Sequence, residues 1–142
     1  MKKSWKDLRV AIYYDWLNQW GGAEKVLLDI LSLFPQAQLF TLFYDPKNTP
    51  WLPQGLKIHS SFIKSPSPVF SPFYDIAAES FDLTTFDLVI ATTTNVGHCL
   101  LTSPQSLFVF YYHNFNRHIY RNQNKFLSPL LSVYQNVYQE GI

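Results

Sequence analysis

The chain has little charge, a single cysteine and no long apolar run, and each shortage excludes a class of protein. Charged residues make up 15% of its 142 residues and the net charge is +1, whereas ordinary domains are about a quarter charged. Beyond Lys2-Lys3 there is no run of basic residues, which argues against nucleic acid as a partner. The single cysteine, Cys99, excludes an internal disulfide and a zinc cluster, and it fits a reducing compartment. No uninterrupted apolar stretch approaches the roughly 20 residues needed to cross a bilayer.

The chain is rich instead in apolar residues, at 47%, and in aromatic residues, at 18%, which is enough for the core of one domain. Two explanations of the low charge stay open. Either part of the surface faces another domain, a partner or a membrane, or the aromatic residues form a tightly packed core. The first three residues resemble the start of a signal peptide, but Asp7, Arg9 and Asp15 interrupt the apolar region that should follow. We expect a cytoplasmic protein, with contact at the inner face of the membrane left open.

Strand-like and helix-like patterns alternate along the chain. The patterns predict strands over residues 9–14, 38–44, 56–62, 86–91 and 107–112, and helices over 22–34, 73–81 and 126–138, with a weak helical turn over 96–101. Strands alternating with helices form βαβ units. The predicted fold class is therefore α/β, with a Rossmann-like, doubly wound and mostly parallel sheet in a single domain over residues 1–142.

Polar residues follow three of these strands, over residues 15–22, 92–95 and 113–117. In doubly wound sheets, ligands bind outside the carboxyl ends of the strands. If the three strands are neighbours, one crevice collects the candidate binding residues, which are Asp15, Gly21, Gly22, Asn95, His113 and Arg117. A glycine pair between a strand and a helix lets the backbone approach a phosphate, a sugar or both, although an ordinary turn is the alternative. Neither a dinucleotide fingerprint nor a P-loop is present.

Each of the other candidates has a functional and a structural explanation. His113 can hydrogen-bond a sugar hydroxyl or a phosphate, or can cap a loop. The guanidinium of Arg117 suits phosphate, or it lies on the surface. Asp15 is a base, an anchor for sugar hydroxyls, or a residue that shapes its loop by accepting backbone N–H bonds. His59 and His98 have no partner signal and are predicted to be structural, and no metal site is expected.

Several runs, in order along the chain, resemble the family 4 (group 1) glycosyltransferases. They are D-W-L at 15–17, G-G-A-E-K-V-L at 21–27, L-F-T-L at 39–42, Y-D-P at 44–46 and K-I-H-S-S-F at 57–62. The run at 82–93 is similar to the family's D-L-S-x-Y-D-L-V-I-S-S-S, and the run at 111–118 is similar to its Y-C-H-T-P-M-R-Y. The resemblance extends from residue 9 to about residue 117. It departs from the family at Tyr14, where a histidine is usual, and at Asn114-Phe115, which replace Thr-Pro.

The resemblance implies one half of a GT-B architecture, in which two Rossmann-like domains face each other across a cleft. It implies retaining transfer of a sugar from a nucleotide-sugar to a saccharide or lipid-linked acceptor, with no cofactor and no metal strictly required. Gly21 and Gly22 would then approach the donor diphosphate, His113 would lie by the donor sugar, and Arg117 would line the cleft. We expect the donor-binding second domain to be absent from these 142 residues, so that the chain is a truncated domain, inactive alone, with a separate donor-binding domain as its partner. A non-catalytic binding module of the same fold and an unrelated flavodoxin-like protein are the alternatives.

Overall fold

The computed structural model describes residues 4–93 and 96–113. Three sequence-based predictions lie outside these residues: the binding roles of Asn95 and Arg117, and the helix over 126–138. The strands are β1 (Val10–Leu17), β2 (Gln38–Tyr44), β3 (Ile58–Ser60), β4 (Leu88–Thr93) and β5 (Leu107–Tyr112). The α-helices are α1 (Gly22–Leu33) and α2 (Tyr74–Glu79), and short 3₁₀ helices span Trp5–Asp7, Pro68–Phe73 and Gly97–Cys99.

The five strands form one all-parallel sheet in the order β3-β2-β1-β4-β5. The chain first moves outward from β1 through β2 to β3, then returns to β4 on the other side of β1 and continues to β5. The order of the strands therefore reverses between β1 and β4, which is the position where doubly wound sheets bind ligands. The predicted α/β class with a mostly parallel sheet is confirmed, and the observed strand order is consistent with a Rossmann-like fold.

Helices cover both faces of the sheet, because the side chains of the central strands point alternately to opposite sides. On one face, Ile12 and Ile90 pack with Leu27 and Leu31 of α1. On the other face, the cluster of buried residues is larger and more aromatic, and it includes Tyr13, Phe40, Tyr74, Phe81 and Phe86. The prediction that the fourth strand is buried on both faces is confirmed, since all six residues of β4 are buried.

Helix α1 follows the predicted apolar period closely. Leu27 and Leu31 lie one turn apart on its buried side, and Phe34 is the residue after the last helical position, directly before Pro35. A proline stops a helix at this point because its ring clashes with the preceding turn and its nitrogen carries no hydrogen. Gly21 occupies the N-cap position with an extended backbone, so α1 begins at the predicted glycine pair.

Among the described strands, β5 lies at one edge of the sheet, and it is largely exposed. Leu107 is 63% exposed and Tyr112 is 52% exposed, although the strand is entirely apolar or aromatic. Its pairing with β4 runs in parallel from Leu107 opposite Leu88 to Tyr112 opposite Thr93. Within residues 4–93 and 96–113, no helix is long and apolar enough to cross a membrane.

Candidate functional site

Asp15 lies at the point where β1 extends beyond its neighbour β4. The β1–β4 register ends at Tyr14 opposite Thr92, so Asp15 is the first residue of β1 after that pairing. Its side chain is only 2% exposed. The Thr93 hydroxyl lies 2.8 Å from Oδ1 and 2.7 Å from Oδ2 of Asp15 and donates to this carboxylate. Since an uncompensated buried carboxylate is costly, the hydroxyl at the end of β4 helps to hold the negative charge in place.

Gly97 contacts the side chain of Thr93 and helps to position it. The Gly97 backbone N–H donates to Thr93 Oγ1 at 3.3 Å. A Cβ atom added at Gly97 would lie 2.5 Å from Thr93 Cγ2 and 3.1 Å from a ring carbon of Phe110. The contact with Thr93 is shorter than any that real Cβ atoms make and the contact with Phe110 is tight, so close packing favours glycine here. The 3₁₀ helix Gly97–Cys99 thereby sets the position of the threonine that holds Asp15.

A second buried carboxylate, Glu24, lies on the α1 side of the sheet. Glu24 is 2% exposed. Its Oε1 accepts a hydrogen bond from the Tyr14 hydroxyl at an O···O distance of 2.6 Å. Burial, the hydrogen bond to Glu24 and the charge of Glu24 all raise the pKa of Tyr14 well above its usual value, so the phenol keeps its proton.

His113 directly follows β5 and faces this pair. Its backbone N–H donates to the Thr93 carbonyl at 3.3 Å, which extends the β4–β5 ladder by one residue. Its ring lies edge-on to Tyr14, with centroids 6.2 Å apart, and edge-on to Tyr111 at 5.0 Å. Nε2 of His113 is buried and has no hydrogen-bond partner among the residues that the structure describes.

The charge state of His113 follows from its surroundings. Burial lowers the pKa of the imidazole, while the charges of Glu24 and Asp15 act in the opposite direction. Because the net shift is downward from an ordinary value near 6.5, the ring is neutral at neutral pH. A neutral imidazole has one donor and one acceptor nitrogen, which suits a hydroxyl group better than it suits an anion.

The glycine pair and Glu24 meet at the start of α1. A Cβ atom at Gly21 would lie 3.0 Å from Glu24 Oε2, so the carboxylate lies against the backbone of this turn. At Gly22, a Cβ atom would meet nothing within 4 Å in the described part of the chain. The Glu24 carboxylate already offsets the positive end of the α1 dipole. The electrostatics of this turn therefore favour hydrogen-bond donors, such as sugar hydroxyls, over another anion bound next to Glu24.

Four of the six sequence-predicted site residues lie at the carboxyl end of the sheet, and they are connected through intermediate residues and not by direct contact. Asp15 contacts Thr93, the Thr93 backbone binds His113, and the His113 ring faces Tyr14, whose partner Glu24 touches Gly21. Gly22 follows as the first residue of α1. Asn95 and Arg117 lie outside the described residues.

Three residues of this site, Tyr14, Glu24 and Gly97, were not predicted as site residues, and Thr93 was predicted only as part of the polar run at 92–95. Glu24 had a usable signal, because it lies three residues before Leu27 and seven before Leu31, on the same face of α1. A charged residue on a buried helical face is unusual and marks a candidate site. The partnership of Thr93 and Gly97 has no local signal, since it depends on the packing of two segments against each other.

An aromatic pair stands beside the glycine turn. Trp20, directly before Gly21, is 50% exposed, and its ring lies 5.2 Å from the partly buried ring of Trp51. Within the described residues, the buried indole Nε1 of Trp51 has no hydrogen-bond partner. An exposed indole next to buried hydrogen-bonding groups is a surface on which a ring with apolar and polar faces can stack.

A separate cleft of about 510 Å³ lies nearer the amino ends of the strands and is lined by Gln38, His59, Phe62, Asp82 and Phe86, among others. The His59 ring stacks on Phe40 with centroids 4.6 Å apart, and its Nε2 is 2.8 Å from Gln38 Oε1. These contacts hold the ring in place within the protein itself.

Comparison with known proteins gives no relative: no family model, no curated protein and no solved structure matches the chain.

Proposed function

We propose that this chain is the acceptor-side, N-terminal domain of a retaining glycosyltransferase of family 4 (group 1), one half of a GT-B architecture. The observation that carries the proposal is the group of polar residues at the carboxyl ends of β1, β4 and β5, where the reversal of strand order between β1 and β4 would place a ligand crevice. Two hydrogen-bonded carboxylate pairs lie near this reversal, Asp15 with Thr93 and Glu24 with Tyr14, together with the glycine turn and the His113 ring. Five of these residues come from the runs in which the sequence resembles that family, at 15–17, 21–27, 82–93 and 111–118: Asp15, Gly21, Glu24, Thr93 and His113.

The chemistry of the crevice suits a sugar. Sugar hydroxyls donate to carboxylate oxygens and exchange hydrogen bonds with a neutral imidazole. Asp15 and Glu24 supply the acceptors, and Nε2 of His113 is buried and unpartnered within the described residues. The half-exposed ring of Trp20 adds an apolar surface for one face of a pyranose. Saccharide sites commonly combine a few convergent polar groups with apolar surface in this way.

In this proposal, the domain holds and orients substrate, and the chemical step requires a donor-binding domain. Sugar transfer from a nucleotide-sugar leaves a nucleoside diphosphate, whose developing negative charge needs positive groups or N–H donors. The residues around this position instead include two carboxylates, so in this proposal they serve the acceptor saccharide and the hydroxyls of the donor sugar. The backbone at Gly22, where a Cβ atom would meet nothing within 4 Å among the described residues, is the proposed point of closest approach to the donor sugar.

The test is a titration of the whole chain, followed by tryptophan fluorescence and by calorimetry. The probes are uridine and guanosine diphosphate sugars, the free nucleotides, and short oligosaccharides of glucose and mannose. We expect saturable binding of at least one sugar-containing probe. A hydrogen bond to a charged group contributes about 1.5–3 kcal/mol, so His113→Ala or Asp15→Asn should weaken binding roughly 10- to 100-fold.

The matched control is His59→Ala, which removes the half-buried imidazole of the other cleft. It should leave the affinity unchanged, and circular dichroism should show all variants folded. Two results would overturn the proposal: no saturable binding of any sugar-containing probe, or an equal loss of affinity in His59→Ala and His113→Ala.

A non-catalytic interaction module of the same fold is the second candidate, and the exposed edge strand favours it. Leu107, Val109, Tyr111 and Tyr112 of β5 are each more than 40% exposed. Apolar surface of this kind commonly marks a protein interface. This candidate predicts a stable protein partner whose binding is lost in Val109→Lys, together with no response to sugars.

A further inference from the structure

Three side chains with metal-binding groups meet on the α2 face of the sheet, outside the crevice. Asp75 lies in the first turn of α2, and His98 and Cys99 are consecutive in the 3₁₀ helix Gly97–Cys99, which packs against α2. One ligand atom from each side chain lies within 4.8 Å of the other two. We propose that Asp75, His98 and Cys99 together bind one divalent transition-metal ion of the zinc class.

The distances are compatible with this assignment. A zinc ion lies about 2.3 Å from a thiolate sulfur and about 2.0–2.2 Å from imidazole nitrogen and carboxylate oxygen, which places tetrahedral ligand atoms about 3.3–3.7 Å apart. Starting from 4.8 Å or less, the three atoms need to move by about an ångström to reach these values. Asp75 and His98 are exposed, so their side chains are free to rotate toward a common ion, while Cys99 is anchored against the core.

The donor set selects the class of metal. Sulfur together with imidazole nitrogen favours zinc, cobalt or copper, whereas magnesium and calcium prefer oxygen ligands alone. With three protein ligands, the fourth tetrahedral position is left for water or another small ligand. Glu79, one helical turn after Asp75, adds negative charge near Cys99, and its charge attracts a cation to the same place.

In this proposal, metal binding removes the proton of the Cys99 thiol. Burial, and the nearby carboxylates of Asp75 and Glu79, raise the pKa of the Cys99 thiol to about 11, so the free protein carries S–H at this position. Tyr13 of β1 also lies close enough to Cys99 for a charge on the sulfur to raise the pKa of the Tyr13 hydroxyl. When the metal binds, the S–H bond breaks, the proton passes to solvent and an S–metal bond forms, with no change in oxidation state.

The expectation of no metal site was based on the cysteine count. Counting cysteines detects only sites with several of them, so it cannot reveal a site made of one cysteine, one histidine and a carboxylate from another element. It also replaces the purely structural role predicted for His98. Gly97 of the same 3₁₀ helix contacts Thr93, whose hydroxyl binds the Asp15 carboxylate. A metal bound by His98 and Cys99 would therefore fix the position of this helix next to Thr93.

The experiment is a titration of the whole chain, freed of metal with a chelator, with Co²⁺ alone. We expect a sulfur-to-cobalt charge-transfer band in the near ultraviolet that saturates at one ion per chain and disappears when Zn²⁺ is added. Cys99→Ser should abolish the band. His98→Gln and Asp75→Asn should each weaken Co²⁺ binding at least tenfold, while the matched controls His59→Gln and Asp82→Asn leave it unchanged.

Folding is monitored in every variant by circular dichroism, and a second measurement uses the unmodified protein. Zn²⁺ should raise its Tm in a concentration-dependent manner, because the ion binds the folded state preferentially. The absence of a charge-transfer band at saturating Co²⁺ would overturn the proposal. The proposal would also be overturned if both His98→Gln and Asp75→Asn bound Co²⁺ as tightly as the unmodified protein, because the cysteine would then bind the metal without the other two residues.

Discussion

Replacing Tyr14 by phenylalanine removes one oxygen atom from the buried pair at the start of α1. In the native protein, the Tyr14 hydroxyl donates to Glu24 Oε1 at 2.6 Å, with Tyr14 7% exposed and Glu24 2% exposed. The substitution keeps the aromatic ring, so its packing and its edge contact with His113 remain. What changes is the hydrogen bonding of a buried carboxylate.

The expected cost follows from that change. A hydrogen bond to a charged group contributes about 1.5–3 kcal/mol, and a buried acceptor that loses its donor keeps its full desolvation cost. We therefore expect Tyr14→Phe to lower the free energy of unfolding by about 2 kcal/mol. For a domain of this size, that corresponds to a Tm about 6 °C lower.

The assay is urea unfolding followed by circular dichroism, with Glu24→Gln and the double variant completing a mutant cycle. Glu24→Gln keeps an acceptor for the phenol and removes a buried charge, so its own cost should be smaller than that of Tyr14→Phe. The coupling energy between the two sites should be about 1–2 kcal/mol. Tyr44→Phe, in a half-buried tyrosine at the end of β2, is the control and should change stability by less than about 0.5 kcal/mol.

Either of two results would refute this reasoning. If Tyr14→Phe is as stable as Tyr44→Phe, the phenol does not stabilise the carboxylate. If the two changes are additive within error in the cycle, the residues do not interact in solution. In both cases, the charge distribution described for the crevice would need revision.

Three further predictions concern the same region. Gly97→Ala should destabilise the fold by about 1–3 kcal/mol in urea unfolding, because the new Cβ atom would lie 2.5 Å from Thr93 Cγ2. Gly22→Ala is the control: a Cβ atom there meets nothing within 4 Å among the described residues, so this change should be neutral or slightly stabilising. Thr93→Val keeps the shape but removes the donor to the buried β1 carboxylate, and should cost about 1–3 kcal/mol by the same measurement. Burial raises the pKa values of Tyr13 and Tyr14 in the folded protein, so as the pH rises the unfolded chain loses these two protons at a lower pH than the folded protein does. The free energy of unfolding should therefore be constant up to about pH 10 and then fall by at most about 1.4 kcal/mol per pH unit for each hydroxyl. Tyr14→Phe should reduce that slope.

Local pattern was sufficient for much of the secondary structure. The strands predicted over 38–44 and 107–112 have the observed bounds, and α1 begins and ends where the glycine pair and Pro35 indicate. Other bounds shifted. Strand β1 extends three residues past Tyr14, and β4 extends to Thr93, into a run of threonines interpreted as the polar end of the strand. Threonine is well suited to strands, so pairing with β1 and β5 overrides its polarity.

The candidate site was predictable only in outline. The rule that ligands bind at the carboxyl ends of parallel strands correctly brought Asp15, Gly21 and His113 to one edge of the sheet. The same information could not assign the partners. The Asp15–Thr93 hydrogen bond joins residues 78 positions apart in the sequence.

The sequence by itself determined the approximate position of each described strand and helix, and that they form a parallel α/β sheet, because these features depend on periodicities that extend over a few neighbouring residues. Only the tertiary structure decided that β1 is central, that the apolar β5 is an exposed edge, and that Asp75 meets His98 and Cys99. Those outcomes depend on which distant segments bury each other's surface. The free energy of that choice is a sum over the whole core, and no local window of residues contains it.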